Sequence, residues 1–243
     1  MYPVLLKLGP LTLYSYGLMV ALGFLSGIIL AAYLAKKSGT KPELILDIAP
    51  FVLLGSMIGA RLFYVIEFWT EFRGNPVEIF LIWKGGLVFF GGLLFAILGL
   101  MLAVNIFKLN FWKTMDILAP ATALGYAIGR IGCFLNGCCY GVVTKVPWAV
   151  KFPTETVLRH PTQIYASLSG LLICGLLLLV FFKYKKFDGL VLILGLIFYG
   201  VYRFLIEFLR INPKYLFNLT GAQWLSILLI LPATVLYFRL RRR

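Results

Sequence analysis

A chain of 243 residues with 61% hydrophobic and only 13% charged side chains departs far from a soluble domain, where roughly a quarter would be charged. Its mean hydropathy of +0.95 points to lipid as the solvent, and at about 20 apolar residues per crossing the length admits roughly six to eight helices and little else. A net charge of +14 would suggest nucleic acid in a soluble protein, but no DNA-binding or RNA-binding motif accompanies it and the basic residues fall mostly in short loops, so nucleic acid is excluded as the expected partner.

Apolar runs between loops rich in Lys, Pro, Gly and Asn predict seven spans. The first, 14–35, carries Tyr16 in its opening turn; the apolar run is longer than a signal core and no basic region precedes it, so it is expected to stay as a helix. The second, 46–68, contains Arg61, and the third, 87–107, opens on a glycine-rich stretch with Gly91 and Gly92. Arg130 lies in the fourth, 116–136, which ends at Asn136. The longest loop, 137–162, holds Gly141 and His160. The fifth span is 163–182, the sixth, 189–209, carries Tyr199, Arg203 and Glu207, and the seventh is 221–238. The expected fold is an all-α integral membrane protein of about seven helices, one domain over 1–243, with no internal repeat.

Orientation follows from the loops. Lys36, Lys37 and Lys41, then Lys108 and Lys113, then Lys183, Lys185 and Lys186, and finally Arg239 and Arg241 to Arg243 form the denser basic set. That set is expected in the cytoplasm, with the amino terminus outside, the carboxyl terminus inside and the 137–162 loop on the outer face. Trp69, Trp83 and Trp148 in the outer loops read as an interfacial belt.

Arg61, Arg130 and Arg203 fall inside spans, where an arginine costs about 2.5 kcal/mol or more unless it faces a polar cavity or a partner. Counted from the predicted cytoplasmic ends, all three lie roughly 21 Å deep, at one level in the outer half of the bilayer. Three guanidinium groups at one level describe an anion site, and their planar donor forks suit phosphate, which the membrane supplies as phospholipid headgroup. Glu207 follows Arg203 by four residues and shares its face; one carboxylate leaves positive potential for a ligand.

The cysteines at 133, 138 and 139 invite a metal reading, but the C-x4-C-C spacing is not a usual zinc pattern and His160 is the only histidine. Packing of small residues is the expectation, a loop disulfide the alternative, and neither metal nor cofactor is expected. The glycines at 85, 86, 91 and 92 allow either backbone approach to a headgroup or close helix contact.

At these same positions the sequence resembles the bacterial prolipoprotein diacylglyceryl transferases. The resemblance runs through Tyr16-Gly17-Leu18-Met19, Gly59-Ala60-Arg61 with Tyr64, Gly85-Gly86 to Gly91-Gly92, and Gly129-Arg130-Ile131-Gly132. It continues in His160-Pro161-Thr162-Gln163-Ile164-Tyr165 and in Tyr199-Gly200-Val201-Tyr202-Arg203-Phe204-Leu205-Ile206-Glu207-Phe208. It implies a transferase of lipoprotein biosynthesis in the bacterial cytoplasmic (inner) membrane, moving diacylglycerol from phosphatidylglycerol to the lipobox cysteine thiol of prolipoproteins and releasing glycerol phosphate. Its partners would be phosphatidylglycerol, prolipoproteins and membrane lipid. In that family the arginines matching Arg130 and Arg203 hold the phosphate and the glutamate matching Glu207 supports them. Arg61, Gly91, Gly92, Asn136, Gly141 and Tyr199 are expected to bind substrate or shape the headgroup pocket.

The departures are specific. Phe90 stands where the family often has a histidine, Cys133 where it often has asparagine, Cys138 in place of a glutamate and Ala166 in place of an acid. Phenylalanine moves no proton, so Tyr16, His160, Glu207 or the arginine field itself must help the thiol ionise. The alternatives are a paralogue with the same lipid donor and another acceptor, and a lipid-binding or transport protein without chemistry.

Overall fold

A computed structural model describes residues 1–8, 11–82 and 85–242, so the expectations for Trp83, Lys84 and Arg243 lie outside the described residues. Seven of its helices are long and apolar enough to cross a membrane. They are α1 (Ser15–Lys37), α2 (Glu43–Glu67), α4 (Phe89–Ile106), α5 (Phe111–Asn136), α6 (Thr162–Leu179, extended by a π turn to Tyr184), α7 (Leu190–Ile206, extended by a 3-10 turn to Leu209) and α8 (Gly221–Arg241). A one-turn helix, α3 (Trp69–Phe72), follows α2. Large apolar side chains such as Ile66, Leu172 and Leu228 are exposed on these helices, as they must be where hydrocarbon is the solvent; the chain is a multi-pass membrane protein.

Two features depart from the expected all-helical chain. The amino terminus is an antiparallel hairpin of β1 (Val4–Leu8) and β2 (Leu11–Tyr14), and the Ser15 N–H that opens α1 donates to the Pro3 carbonyl (3.0 Å). The long loop contains a second small pair, β3 (Val150–Lys151) and β4 (Leu158–Arg159). It also has its own core: Phe152, fully buried, lies between Tyr140 (ring centroids 4.7 Å) and Phe134 (6.2 Å).

The helices form two compact units. One comprises Met1–Ala31 with Met115–Arg243, the other Ala32–Thr114. In the second unit α2 and α4 pack with their backbones nearly touching. A Cβ built on Gly59 would strike the Gly91 carbonyl and the Phe95 ring, and one on Gly91 would strike the Gly59 carbonyl and Phe63. Apolar burial gains nothing between helices already in lipid, so this close fit is what holds the pair.

In the first unit α1 crosses α5 at Gly23 and Gly125, where a Cβ on Gly23 would stand 2.8 Å from the Gly125 carbonyl. α6 and α7 meet around Ile173, Leu177 and Val191. At the loop entering α7, Asp116 is fully buried and accepts the Gly189 N–H (2.8 Å) and the Leu192 N–H (3.0 Å), while Lys185 Nζ lies 3.0 Å from its carboxylate. The first turn of α7 thus takes its missing acceptors from α5. Burial opposes the charge on Lys185, but Asp188 and Asp116 together outweigh it and lift the ammonium pKa above its ordinary value. The fourth span is expected from 116; α5 starts instead at Phe111, and Asp116 is inside it, on the face toward α7.

Candidate functional site

Arg203 and Glu207 lie one helical turn apart at the end of α7, and the guanidinium donates from Nη1 to Glu207 Oε2. Glu207 is completely buried, and its other oxygen, Oε1, accepts Asn212 Nδ2 from the following turn. Both carboxylate oxygens are therefore used, and the Arg203 side chain keeps a fifth of its surface exposed. A cavity of about 300 Å³ adjoins this pair, lined by Glu207, Arg210, Asn212, Lys214, Thr220 and Gln223 among others. That volume is at the lower end of the range for small-molecule sites.

Arg130, near the end of α5, is seated on an aromatic platform. Its guanidinium carbon is 4.8 Å from the Tyr126 ring, one turn earlier on the same helix. The Tyr126 and Tyr202 hydroxyls are 3.2 Å apart, and the Tyr126 ring meets Tyr199 edge to face at 5.7 Å. Tyr199 and Tyr202 both lie within electrostatic reach of Arg130 and Arg203. The three tyrosines are thus mutually in contact, and two of them are within reach of both guanidinium groups. Tyr16, half-exposed at the start of α1, is also within reach of Arg130, and α1 comes close here because Gly132 leaves room for Tyr16 and Met19.

Gly141 has a reason in close approach. The Val142 N–H donates to the Leu209 carbonyl (2.9 Å) and Gly141 pairs with Arg210, so the loop is bonded to the chain just beyond Glu207. A Cβ on Gly141 would collide with the Leu209 carbonyl and with Thr162. The Gly141 N–H donates to the His160 carbonyl (2.9 Å) and the His160 N–H to Val142 (3.1 Å). The His160 ring is half-buried with Nδ1 3.1 Å from the Tyr165 hydroxyl, which accepts Trp148 Nε1 at 2.6 Å. Further along the loop Glu155 accepts the Tyr140 hydroxyl (2.5 Å) and pairs with Arg159 (2.8 Å), and these two partners hold its carboxyl below the usual range.

Beyond the end of α5, the Cys139 thiol is drawn down to about 5. A hydrogen bond with Cys133 contributes most, against the opposing effect of burial, and Cys138 with the Arg210 and Arg130 charges adds to it. Asn136 is exposed as the last residue of α5.

Arg61, Gly91 and Gly92 belong to the other unit. The Arg61 guanidinium donates to the carbonyls of Glu78 (2.5 Å), Ile79 (2.8 Å), Gly85 (2.7 Å) and Gly86 (3.1 Å), so it gathers the segment before α4. Gly86 has a φ of +73°, and a Cβ there would also press on Arg61 and Tyr64. Gly91 and Gly92 are buried against α2. Phe90 is exposed and meets only the Phe89 ring among its described aromatic neighbours.

Asn212, Tyr126 and Tyr202 were not anticipated. The two tyrosines carried a signal, since Tyr126 precedes Arg130 by one turn and Tyr202 adjoins Arg203. Asn212 lies in an irregular segment where no periodicity exists to place it.

Residues 3–239 match the family model described as prolipoprotein diacylglyceryl transferase. A protein of Finegoldia magna named phosphatidylglycerol–prolipoprotein diacylglyceryl transferase is 38% identical over 228 residues, covering 94% of this chain and 91% of its own length. Proteins of the same name from Bordetella bronchiseptica and Mannheimia succiniciproducens are 36% and 35% identical, covering 97% and 99% of this chain and 94% of each relative.

Proposed function

From its place in the prolipoprotein diacylglyceryl transferase family, to which this chain belongs, we propose that it transfers the diacylglyceryl group of phosphatidylglycerol to the cysteine thiol of a prolipoprotein. The sulfur forms a bond to the glyceryl carbon, the carbon–oxygen bond to phosphate breaks, and the electron pair leaves on the phosphate oxygen of glycerol phosphate. The thiol proton is lost as the sulfur attacks.

Charge grows on the leaving phosphate, so cations already fixed in a site of low dielectric stabilise it without reorganising. The carrying observation is the buried Glu207, which spends one oxygen on Arg203 and the other on Asn212 and so aims the guanidinium. Arg203 and Arg130 bind the phosphate, Tyr199 shapes the surface between them, and Asn136 and Gly141 shape the mouth. Arg61, Gly91 and Gly92 contribute through the packing of their own unit. Tyr16 or His160 takes the thiol proton, or the arginine field lets the thiol ionise with no dedicated base; the pH profile of thioether formation in Tyr16→Phe and His160→Ala decides, since retained activity in both removes those two bases.

We place the protein in the bacterial cytoplasmic membrane as one polytopic domain, amino terminus outside and carboxyl terminus in the cytoplasm. The loop charges support that orientation, and a family match spanning 3–239 supports one domain. The test is incubation of purified protein with phosphatidylglycerol and a lipobox peptide. Glycerol phosphate and a diacylglyceryl thioether are expected in equal amounts. Glycerol phosphate without peptide thioether would favour another acceptor, the reading that Phe90, Cys133, Cys138 and Ala166 raise; no glycerol phosphate with any thiol ends the transferase reading.

A further inference from the structure

Three of the four cysteines come together at the end of α5. Cys133 is in the last turn of the helix, and Cys138 and Cys139 follow after a turn at Gly137. Their three sulfurs lie within 4.8 Å of one another, the Cys138 and Cys139 sulfurs being 3.4 Å apart, and all are free thiols. The backbone is held to this arrangement at a cost. Cys139 has φ +67°, in the left-handed region that disfavours a residue with a Cβ by about 1 kcal/mol. It is kept there by the start of α6: Thr162 Oγ1 donates to the Cys139 carbonyl (2.8 Å), and Gln163 Nε2 donates to the Cys138 carbonyl (2.5 Å). The Cys138 N–H turns back to the Cys133 carbonyl (3.2 Å). With both carbonyls drawn off, the side chains converge.

Packing of small residues does not call for a strained residue, and one disulfide would leave the third sulfur unused. A metal uses all three. Sulfur donors select thiophilic cations, and charge decides among them. Three thiolates around a dication leave a single net negative charge, around a monovalent ion two. Arg130 and Arg210 both lie within electrostatic reach of Cys139, so a site with net negative charge has its counter-ions in place.

We propose that Cys133, Cys138 and Cys139 bind one zinc-class divalent cation through three thiolates, with the fourth tetrahedral position open to a small ligand such as water or a thiol. Three protein donors and one open position is the arrangement of exchangeable zinc sites rather than closed structural ones. The site does not depend on the transferase reading, and it is tested without an activity assay.

The intact protein, purified in detergent under reducing conditions and dialysed against Zn2+, should retain one zinc per chain by elemental analysis. Cys174→Ser should retain it, while the triple variant Cys133→Ser, Cys138→Ser, Cys139→Ser should retain less than about a tenth. Should the triple variant misfold, the unaltered protein decides: Zn2+ protects these three cysteines from iodoacetamide in a peptide map, and a chelator restores labelling. Co2+ in place of Zn2+ should give a sulfur-to-metal charge-transfer band whose visible bands move when N-acetylcysteine is added. Equal zinc in the triple variant, no protection by Zn2+, or an intact mass two hydrogens lower, which marks a disulfide, each overturns the site. An unmoved cobalt spectrum overturns the open position.

Discussion

Glu207 is the residue on which the proposed phosphate clamp turns. It is buried, and both its oxygens are engaged, one by Arg203 and one by Asn212. Glu207→Gln keeps the shape but gives up the charge and one acceptor, so kcat/KM for glycerol phosphate release should fall about 100-fold, the size expected for loss of a preorganised group in the transition state. Arg203→Lys keeps the charge and loses the planar fork, and should fall by a similar factor in the same assay. A loss below threefold in both variants would separate this pair from the chemistry. The pair itself was legible in the sequence, because an arginine within an apolar run and an acid four residues on can be read from helical spacing alone. Its third member was not. Asn212 reaches Glu207 across a 3-10 turn that the apolar pattern cannot distinguish from more helix. The same limit applies to Arg61: its depth in a span was visible, but the four carbonyls that engage it come from a short 3-10 helix and the loop after it.

At the level of elements, two kinds of contact position the helices. α2 and α4 rely on the absence of side chains at Gly59 and Gly91, where each would put a Cβ into the other's carbonyl. Gly59→Ala should therefore destabilise the protein by about 2 kcal/mol, since overpacking forces the backbones apart, and its melting temperature in detergent should drop by several degrees. An unchanged Tm would mean the pair is not in that close contact. Asp116 works by charge instead, capping α7 from α5 and pairing with Lys185. Asp116→Ala leaves two N–H groups without their acceptor and Lys185 with Asp188 alone, and should cost about 3 kcal/mol, read in the same melting experiment. Apolar periodicity found all seven spans because lipid imposes it on every exposed face. It missed the β1–β2 hairpin and the folded 137–162 loop, whose short alternating segments fall below what a span-length window detects. It also began α5 late, at Asp116, which lies inside the helix and caps α7.

Across the whole molecule, loop charge is the property on which the proposed orientation rests. The dense basic set lies at and beyond the carboxyl ends of α1, α4, α6 and α8, and a reporter fused after residue 242 should read cytoplasmic: a fluorescent protein bright, alkaline phosphatase inactive. The opposite pattern would invert the assigned topology and put the Arg203 end of α7 on the inner face. One backbone contact joins this topology to the chemistry. The Val142 amide is bonded to the Leu209 carbonyl, two residues past the acid that aims Arg203, and His160 hangs from the same stretch of loop. Under the proposed function, a peptide engaging the 137–162 loop would pull through this bond on the residues that aim Arg203, which would couple acceptor recognition to donor activation.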